Sequence, residues 1–575
     1  MVEIQGETAS AFTDMLVPVD MGELNSGEWR PTLLLNKKGE SFSPALLSRH
    51  SQDYSSFRLI VPSERAREVI PWLRHLSDGY IKFDEKELVG RLPGPVVVHD
   101  LGSADEMKQA AEKLKNIEKN SLPLSCKPFY IGLSSRAEPC GEPLPFFNFE
   151  EKKEESDKTT PLHHWHVERS AKMASFAGWD MPMWYTSIQD EHKTVRGSAG
   201  LFDVFHMGIF EVSGPNAYYF LDIVTTNEIN LLRPGESQYS FLLDPDGRII
   251  DDLLVYRIEK DKYLLVLNAA NTDKDWHWLN EANDDSVQID RERPWSKVPF
   301  SAELKNLSNW QDAGGSALAD IAIQGPRSRD IILTILETSP NSRKLRDLQS
   351  KILSLKKMQF LKARIPVDGT DEGETDILIA RSGYTGERMG FELFIHPSTA
   401  EWLWKKLLEA GEPFGIRPVG LGARDSLRIE AGLPLYGHEL AGPLNISPEE
   451  AGFAGFVKLS KPFFVGRKSY LEKTNEEKKM TVVRFQLPER GVRMPKTGDA
   501  VTESHGRVTG QVTSCAMDTK GFLVGMAYID KRHTDEGESI NIFPRPAREK
   551  WDKPYEELEA GDRLVLHNEA KIISR

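Results

Sequence analysis

A run of charged residues divides this chain into two unequal parts. Positions 150–160 read EEKKEESDKTT and show no apolar periodicity. Such a segment cannot form the buried face of a helix or strand, so it is typical of a solvated linker. A chain of 575 residues is long enough for about three or four compact units. We therefore predict a separate N-terminal part over residues 1–155, and a larger part after the linker.

Composition and charge exclude several classes of protein. The chain is 39% hydrophobic, which supplies real cores, and its net charge of −14 repels a phosphate backbone. We expect no nucleic-acid partner. The longest apolar runs fall far short of the ~18–20 residues of a membrane helix, so no membrane partner is expected either. The first residues also lack the pattern of an export signal, which favours a cytoplasmic protein.

The cysteines favour the same compartment. Cys126, Cys140 and Cys515 are far apart and form no C-x-x-C motif. We therefore predict neither a disulfide framework nor a thiolate zinc site, and a reducing, cytoplasmic setting.

The N-terminal part has an α/β-like pattern of its own. A strand pattern is followed by a helix pattern, and then by a second strand and a second helix that opens with a capping box of Ser103 and Glu106. These elements are predicted at residues 57–61, 63–76, 95–99 and 103–114. They predict an accessory extension that buries a small core by itself.

The remainder of the chain predicts an α+β fold followed by a small β-barrel. Strand and helix patterns alternate irregularly up to about residue 475, and short strands recur from 479 onward. The strands before residue 475 are predicted at 247–256, 262–268, 321–324, 376–381 and 391–395, with helices at 271–281 and 401–409. The later strands are predicted at 481–486, 508–514, 523–529 and 563–566.

Residues 248–256, RIIDDLLVY, place two acids inside an otherwise apolar strand. Side chains alternate along a strand, so Asp252 shares one face with Tyr256 while Asp251 lies on the other face. A carboxyl group among apolar neighbours loses solvation and its pKa rises, which is useful in proton transfer. The alternative is an acid at a strand end that caps a turn or pairs with an arginine.

A second motif, RSGYTGE at residues 381–387, is a turn rich in glycine that displays Tyr384. It is followed by Glu392, which alternates with apolar neighbours in a strand pattern. This acid either faces a binding site or points to water.

The third motif, GLGARDSLRIE at residues 420–430, leads from glycines into a helix. Arg424 and Arg428 are four positions apart and therefore share one helix face. Two guanidinium groups there can hold a ligand carboxylate, although a salt bridge with Asp425 or Glu430 is the commoner use of such arginines.

Three histidines near the linker do not predict a metal site. His163, His164 and His166 lie close together, but no fourth ligand is evident. We interpret them as a solvated or packing cluster and predict no metal.

Taken together and in this order, the motifs resemble the glycine cleavage system T protein, a tetrahydrofolate-dependent aminomethyltransferase family, over about residues 160–575. The resemblance implies a folate-binding α+β body of several lobes over residues 160–475 and a closing β-barrel over 479–575. It rests on the three motifs above and on these further segments: TPL at 160–162, FAGWDMP at 176–182, YTS at 185–187, LFDV at 201–204, HMG at 206–208, QYS at 238–240, NAAN at 268–271, QGP at 324–326 and LYG at 435–437.

The resemblance also implies site residues, a co-substrate and a partner. Asp252 matches the catalytic aspartate of the family, and the co-substrate is tetrahydrofolate. The donor implied is an aminomethyl group on a separate lipoyl-carrying protein, and the products are methylene-tetrahydrofolate and ammonia. The positions that match folate-binding residues are Tyr239, Tyr256, Asn268, Tyr384, Glu392, Arg424 and Arg428.

Three positions depart from the family pattern. Phe205 replaces a serine, Gly455 lies where an aromatic residue is usual, and Cys515 replaces a glycine. The altered segment at 452–456 and the N-terminal extension keep an alternative open, a tetrahydrofolate-dependent demethylase of an O-, N- or S-methyl substrate. A folate-binding scaffold without transfer chemistry is the third hypothesis.

Overall fold

A computed structural model gives the architecture of the protein. Among the residues that it describes, no helix is both long enough and apolar enough to cross a membrane. The described residues are 1–22, 24–82, 90–102, 114, 125–135, 139–150, 157–338, 345–367, 373–475, 479–544, 558–559, 561–562 and 568–574.

The N-terminal part is built on an antiparallel sheet of five strands in the order β2-β3-β4-β1-β5. The α/β-like expectation is therefore wrong in topology, because β1 lies between β4 and β5 and runs opposite to both. The elements are β1 (Val2–Gln5), α1 (Ala9–Leu16), β2 (Trp29–Leu35), β3 (Ser41–Arg49), β4 (Ser56–Ile60), α2 (Ser63–Ser77) and β5 (Val97–Asp100).

Three of the four elements predicted in this part are present. The strands predicted at 57–61 and 95–99 are β4 and β5, and the helix predicted at 63–76 is α2. The helix with the capping box falls on residues 103–114, most of which lie outside the described residues.

The first sheet of the body contains the strand with the two acids. Its order is β10-β11-β12-β9-β13, and all of its pairings are antiparallel. A turn leads into β11, in which the Asp244 carboxylate accepts the Arg248 N–H at 2.8 Å and Gly247 has a φ of +73°. The elements are β9 (Gly208–Ser213), α5 (Ala217–Val224), β10 (Glu236–Leu243), β11 (Ile249–Glu259), β12 (Lys262–Leu267), α6 (Thr272–Asn283) and β13 (Glu303–Asn306).

The second sheet of the body has six strands in the order β15-β16-β17-β14-β8-β18. Its strands pair antiparallel except for β18, which pairs parallel with β8. The elements are β8 (Gly200–Asp203), β14 (Ala319–Gln324), α8 (Ser328–Thr338), α9 (Arg346–Ser354), β15 (Phe360–Pro366), β16 (Glu374–Ala380), β17 (Gly390–Ile395), α10 (Pro397–Gly411), β18 (Arg417–Pro418) and α11 (Leu421–Glu430).

Shorter elements precede, separate and follow the strands of these two sheets. A hairpin of β6 and β7 stands apart as a two-stranded sheet. These elements are α3 (His163–Glu168), β6 (Lys172–Phe176), β7 (Trp179–Trp184), α4 (Ile188–Gly197), α7 (Trp310–Ala313) and α12 (Arg467–Asn475).

A closed barrel of six strands follows the body, as predicted. Its order is β19-β22-β21-β20-β23-β24, so both edges of the sheet are paired. The strand predicted at 563–566 lies outside the described residues. The strands are β19 (Met480–Gln486), β20 (Ala500–Thr502), β21 (Val508–Met517), β22 (Leu523–Asp530), β23 (Ser539–Phe543) and β24 (Asn568–Ile573).

The core of the N-terminal extension continues into the body. One cluster of buried side chains joins Phe12 and Phe57 of the extension to Phe220, Leu253 and Trp278 of the body. The expectation of a small separate core is therefore not met, because the two parts bury apolar surface against each other. The division into domains at residues 155, 160, 475 and 479 stays a prediction.

A buried ion pair of the extension also meets a side chain of the body. The Lys127 ammonium lies 2.9 Å from the Asp14 carboxylate, and both side chains are almost fully buried. The hydroxyl of Tyr219, on α5, donates to the other Asp14 oxygen at 2.9 Å. The carboxyl group of Asp14 is thus shared between the extension and the body.

The cysteine prediction needs a correction. Cys126 and Cys140 form a disulfide, while Cys515 is free. Their separation of 14 residues gives no short motif, so the sequence spacing did not reveal the pair. Burial raises the pKa of the Cys515 thiol to about 12, which keeps it protonated and unreactive.

Candidate active site

Strand β11 presents its two acids to opposite sides, as the alternation predicts. Leu253 and Val255 belong to the core that is shared with the extension, whereas Tyr256 packs into a different cluster with Phe360 and Phe394. Asp252 has the same parity as Tyr256, so it lies on the second side.

Two side chains hold the carboxyl group of Asp252. The Tyr239 hydroxyl donates to Oδ2 at 2.7 Å, and the Asn268 side-chain amide donates to Oδ1 at 3.0 Å. Burial, together with the nearby negative charge of Asp251, raises the pKa of Asp252 to about 7. A carboxyl group with this pKa can gain or lose a proton near neutral pH.

Asn268 connects the two acids. Its Nδ2 group donates to Asp251 Oδ1 at 2.8 Å as well as to Asp252, and its backbone N–H donates to Asp251 Oδ2 at 3.0 Å. Asn268 follows directly after β12, so the end of this strand fixes the orientation of both carboxyl groups.

An aromatic wall covers Tyr239. The ring centroids of Phe453 and Phe456 lie 5.6 and 4.8 Å from that of Tyr239. Gly455, which departs from the family pattern, has open space around its α-carbon. The wall is therefore present, because the phenylalanines on either side of Gly455 supply it.

Glu392 is buried on β17 and does not point to water. Its Oε2 atom accepts hydrogen bonds from the Tyr256 hydroxyl at 3.2 Å and from the Ser382 hydroxyl.

Sequence analysis missed Asp320, a neighbour of Glu392, which is 1% exposed and whose Oδ1 has no hydrogen-bond partner in the described chain. Burial, and then the charge of Glu392, raise the pKa of Asp320. Its place in the apolar strand sequence ADIAIQ was the available signal.

The turn that carries Tyr384 is held by Gln324. Gln324 Nε2 donates to the Ser382 carbonyl at 3.1 Å, and the Thr385 hydroxyl donates to Gln324 Oε1 at 2.8 Å. A Cβ on Gly383 would lie 2.1 Å from this amide, so the close approach requires glycine. Tyr384 donates its hydroxyl to the Pro434 carbonyl, and burial followed by the charge of Asp252 raises its pKa.

The two arginines of α11 have different surroundings. Arg428 is buried and donates to Glu439 Oε2 at 2.6 Å and to Asp425 Oδ1 at 2.8 Å. Arg424 Nη1 is buried without a hydrogen-bond partner in the part of the chain that the structure describes. The salt-bridge alternative therefore applies to Arg428, and Arg424 keeps an unused donor for a ligand.

His206 is a further buried group that sequence analysis did not select. It is 5% exposed, its Nδ1 has no hydrogen-bond partner among the described residues, and burial lowers its pKa to about 4. The preceding Phe205, a departure from the family pattern, packs in the core of the second sheet near Trp310. The substitution at Phe205 thus faces away from solvent and leaves the fold intact.

Two of the three histidines near the linker form hydrogen bonds with side chains of the body. His163 Nε2 lies 2.8 Å from Asp180, and His166 is enclosed between Asp203 at 2.9 Å and the Tyr185 hydroxyl at 2.7 Å. Within the described ranges, no group of three or more His, Cys, Asp or Glu residues is placed to hold a metal ion.

Comparisons with known proteins identify the family. The model of the GCVT N-terminal domain matches residues 162–461. An aminomethyltransferase of Desulforamulus reducens is 39% identical over 391 residues, which cover 68% of this chain and 94% of that protein. The chain belongs to the glycine cleavage T family of aminomethyltransferases. The aminomethyltransferase of Phocaeicola vulgatus is 37% identical over 390 residues, or 68% of this chain and 96% of the relative.

A solved structure of this family supports the fold. The crystal structure of glycine cleavage system aminomethyltransferase T from Bartonella henselae covers 73% of this chain and 97% of its own length, with a TM-score of 0.56 and 28% identity. As an aminomethyltransferase-family enzyme, the chain is a one-carbon transferase with tetrahydrofolate as its co-substrate.

The residues present fit a reduced folate. The aminopyrimidinone edge of a pterin carries N–H donors, which suit buried carboxyl groups such as Glu392 and Asp320. The unpartnered Arg424 nitrogen suits a carboxylate or a ring carbonyl of the same ligand. The aromatic wall on Tyr239 suits a flat ring system.

Proposed function

We propose that this aminomethyltransferase-family enzyme moves an aminomethyl group from a separate lipoyl carrier protein to tetrahydrofolate, giving methylene-tetrahydrofolate and ammonia. The observation that carries the proposal is the buried carboxyl group of Asp252. Tyr239 and Asn268 hold it, and its pKa is about 7. A group with these properties suits proton transfer beside a folate ring.

The overall chemistry fixes what the site must accomplish. Two bonds from folate nitrogens to the methylene carbon form, while the bonds from that carbon to sulfur and to the amine nitrogen break. The two protons lost by the folate nitrogens end on ammonia and on the lipoyl thiol. We assign to Asp252 the task of holding one of these protons during the transfer, and its fixed orientation would lower the entropic cost of aligning the pterin.

The remaining residues divide into ligand contacts and support. We assign folate contacts to side chains that line the site around Asp252 and Glu392, and we assign Arg428 to support because its guanidinium already has two carboxylate partners. Arg428 thus positions the helix that carries Arg424. The proposed folate-binding set is Tyr239, Tyr256, Asn268, Tyr384, Glu392 and Arg424, with Arg428 behind them.

A carrier assay tests the proposal directly. Purified enzyme, tetrahydrofolate and an aminomethylated lipoyl carrier protein should release ammonia and form methylene-tetrahydrofolate in equal amounts. A carrier whose lipoyl lysine is replaced by alanine is the matched control and should give neither product. Turnover of an O-, N- or S-methyl compound to methyl-tetrahydrofolate, with silence toward the carrier, would establish the demethylase instead. Folate binding without turnover of any donor would favour the scaffold.

Two further assignments accompany the proposed reaction. The encounter with the lipoyl carrier is transient, because a carrier that has lost its aminomethyl group must leave before a loaded one can bind. The cytoplasmic setting stays a prediction, and the Cys126–Cys140 disulfide removes one of the observations on which it was based.

A further inference from the structure

A third carboxyl group lies behind the Asp252 strand, and the proposed reaction does not use it. Asp275, on α6, is fully buried, and neither of its carboxyl oxygens meets an N–H or O–H donor in the described part of the chain. Its polar neighbour is the carboxyl group of Asp251, which lies within hydrogen-bonding reach. Two ionised carboxylates cannot occupy such a place together, so a proton must lie between them.

The donors around Asp251 decide which group carries that proton. Asp251 accepts three N–H bonds, from the backbone and side chain of Asn268 at 3.0 and 2.8 Å and from the Asn271 side chain. These bonds stabilise its ionised form, whereas Asp275 has no such donor. The proton therefore stays on Asp275, and its O–H group donates to the Asp251 carboxylate.

The same contacts lead from Asp275 to the catalytic candidate. Asp251 holds Asn268 by two hydrogen bonds, and the Asn268 amide donates onward to Asp252 Oδ1 at 3.0 Å. A change at Asp275 is thus transmitted through two intermediate residues to the carboxyl group of Asp252.

We propose that Asp275 is a positioning residue of the transfer reaction, whose protonated carboxyl group fixes Asp251 and, through Asn268, the orientation of Asp252. This inference rests on the proposed role of Asp252.

Among the residues that the structure describes, few other charged groups face this chain of contacts. Lys274 lies beside Asp251 and Asp275. Its ammonium donates to Asn271 Oδ1 at 2.8 Å and to the Tyr436 hydroxyl at 2.9 Å. Tyr239 and Tyr384 face Asp252 from the other side, and burial raises the pKa of both phenols. Neither Tyr239 nor Tyr384 titrates near neutral pH, so a shift in the pH profile would report on the acids.

The first test compares two substitutions at one position. Asp275→Ala removes the donor to Asp251, whose pKa should then rise so that it takes up a proton. The negative charge beside Asp252 is thereby reduced. We expect kcat to fall at least about tenfold with folate affinity within about threefold, and the acidic limb of the kcat profile to move to lower pH. Asp275→Asn keeps an N–H donor and should restore most of the rate and the original limb.

A matched control and a cycle sharpen this test. Asp273→Ala changes an exposed acid on the same helix and should leave the pH profile in place. In an Asp251→Asn background, Asp275→Ala should have little additional effect, because the group that it positions has already changed. Equal losses in Asp275→Ala and Asp275→Asn with an unmoved acidic limb, or no loss in Asp275→Ala, would overturn the proposal.

The second test needs no turnover. Infrared difference spectra of the wild-type protein and Asp275→Asn at neutral pH, recorded without folate, should contain the carbonyl band of a protonated carboxyl group that the variant lacks. Absence of that band would overturn the proposal even in an active enzyme. If the band is present but the protein transfers no group, Asp275 carries the proton as inferred and the proposed transfer reaction is wrong.

Discussion

Neighbouring residues of strand β11 face opposite sides of the sheet and meet different surroundings. On the inner face, Asp252 accepts hydrogen bonds from Tyr239 and Asn268, and Tyr256 donates one to Glu392. On the outer face, Leu253 and Val255 pack into the core that is shared with the N-terminal extension. One strand therefore carries both the buried acid Asp252 and the apolar side chains that anchor the strand in the shared core.

Removal of the cover on the outer face should have the largest effect. A chain that starts at Asp157 lacks the extension and would expose the apolar side chains that now pack against Phe12 and Phe57. We expect no cooperative thermal transition and aggregation during size-exclusion chromatography. As a control, cleavage within 150–157 of the folded protein should leave the two pieces associated and active. A monomeric fragment that binds folate would show that the extension is an independent unit after all.

The inner face should be most sensitive at its acid. Asp252→Asn keeps the shape of the side chain but cannot hold a transferable proton. We expect kcat to fall by about 10²–10³-fold, with the folate Kd within about threefold, in a steady-state assay paired with calorimetry. Asp261→Asn, at an exposed turn after the same strand, is the control. Full activity in Asp252→Asn would remove this residue from the mechanism.

Neighbouring leucines separate stability from binding. Leu253 is 2% exposed in the shared core, so Leu253→Ala should lower the free energy of unfolding by about 2–5 kcal/mol and leave folate affinity unchanged. Leu254 is only partly buried between two clusters near the site. Leu254→Ala should therefore cost less stability and weaken folate binding more. Denaturant unfolding and calorimetry on both variants measure this, and the reverse order would contradict the assignment of the faces.

The smallest expected effect is a dependence of stability on pH. The pKa of Asp252 rises from 3.8 to about 7 on folding, so the folded state binds a proton that the unfolded state has lost between these two values. Wild-type stability contributed by this group should thus fall as pH rises from about 4 to 7. Asp252→Asn lacks that loss, so its free energy of unfolding should exceed that of the wild type by about 1–3 kcal/mol at pH 8 and by less at pH 5. An excess that does not change with pH would argue against the raised pKa.

Local patterns predicted the strand and its faces well. The alternation in RIIDDLLVY depends only on the period of a strand, so Asp252 and Asp251 are assigned to opposite sides without knowledge of the fold. The glycine-rich turn of Tyr384 and the helix of Arg424 also depend on short-range signals. These are the parts of the site that the sequence makes visible.

Contacts between distant segments were not predictable in this way. Arg428 is hydrogen-bonded to Glu439, which lies on a later loop, and Asp275 meets Asp251, which lies on a separate strand. In the extension, a strand of four residues at Val2–Gln5 is paired on both sides, which makes the sheet antiparallel. The disulfide between Cys126 and Cys140 likewise depends on a fold that brings the two residues together.

The shared core has a consequence for synthesis on the ribosome. Strands β1, β4 and β5 are complete by residue 100, yet Phe220, Leu253 and Trp278, against which that part of the core packs, are more than a hundred residues further along. At about 5–20 residues per second, the nascent chain carries an uncovered apolar face for roughly 10–35 seconds. A translational pause before residue 280 would lengthen the exposure of this face.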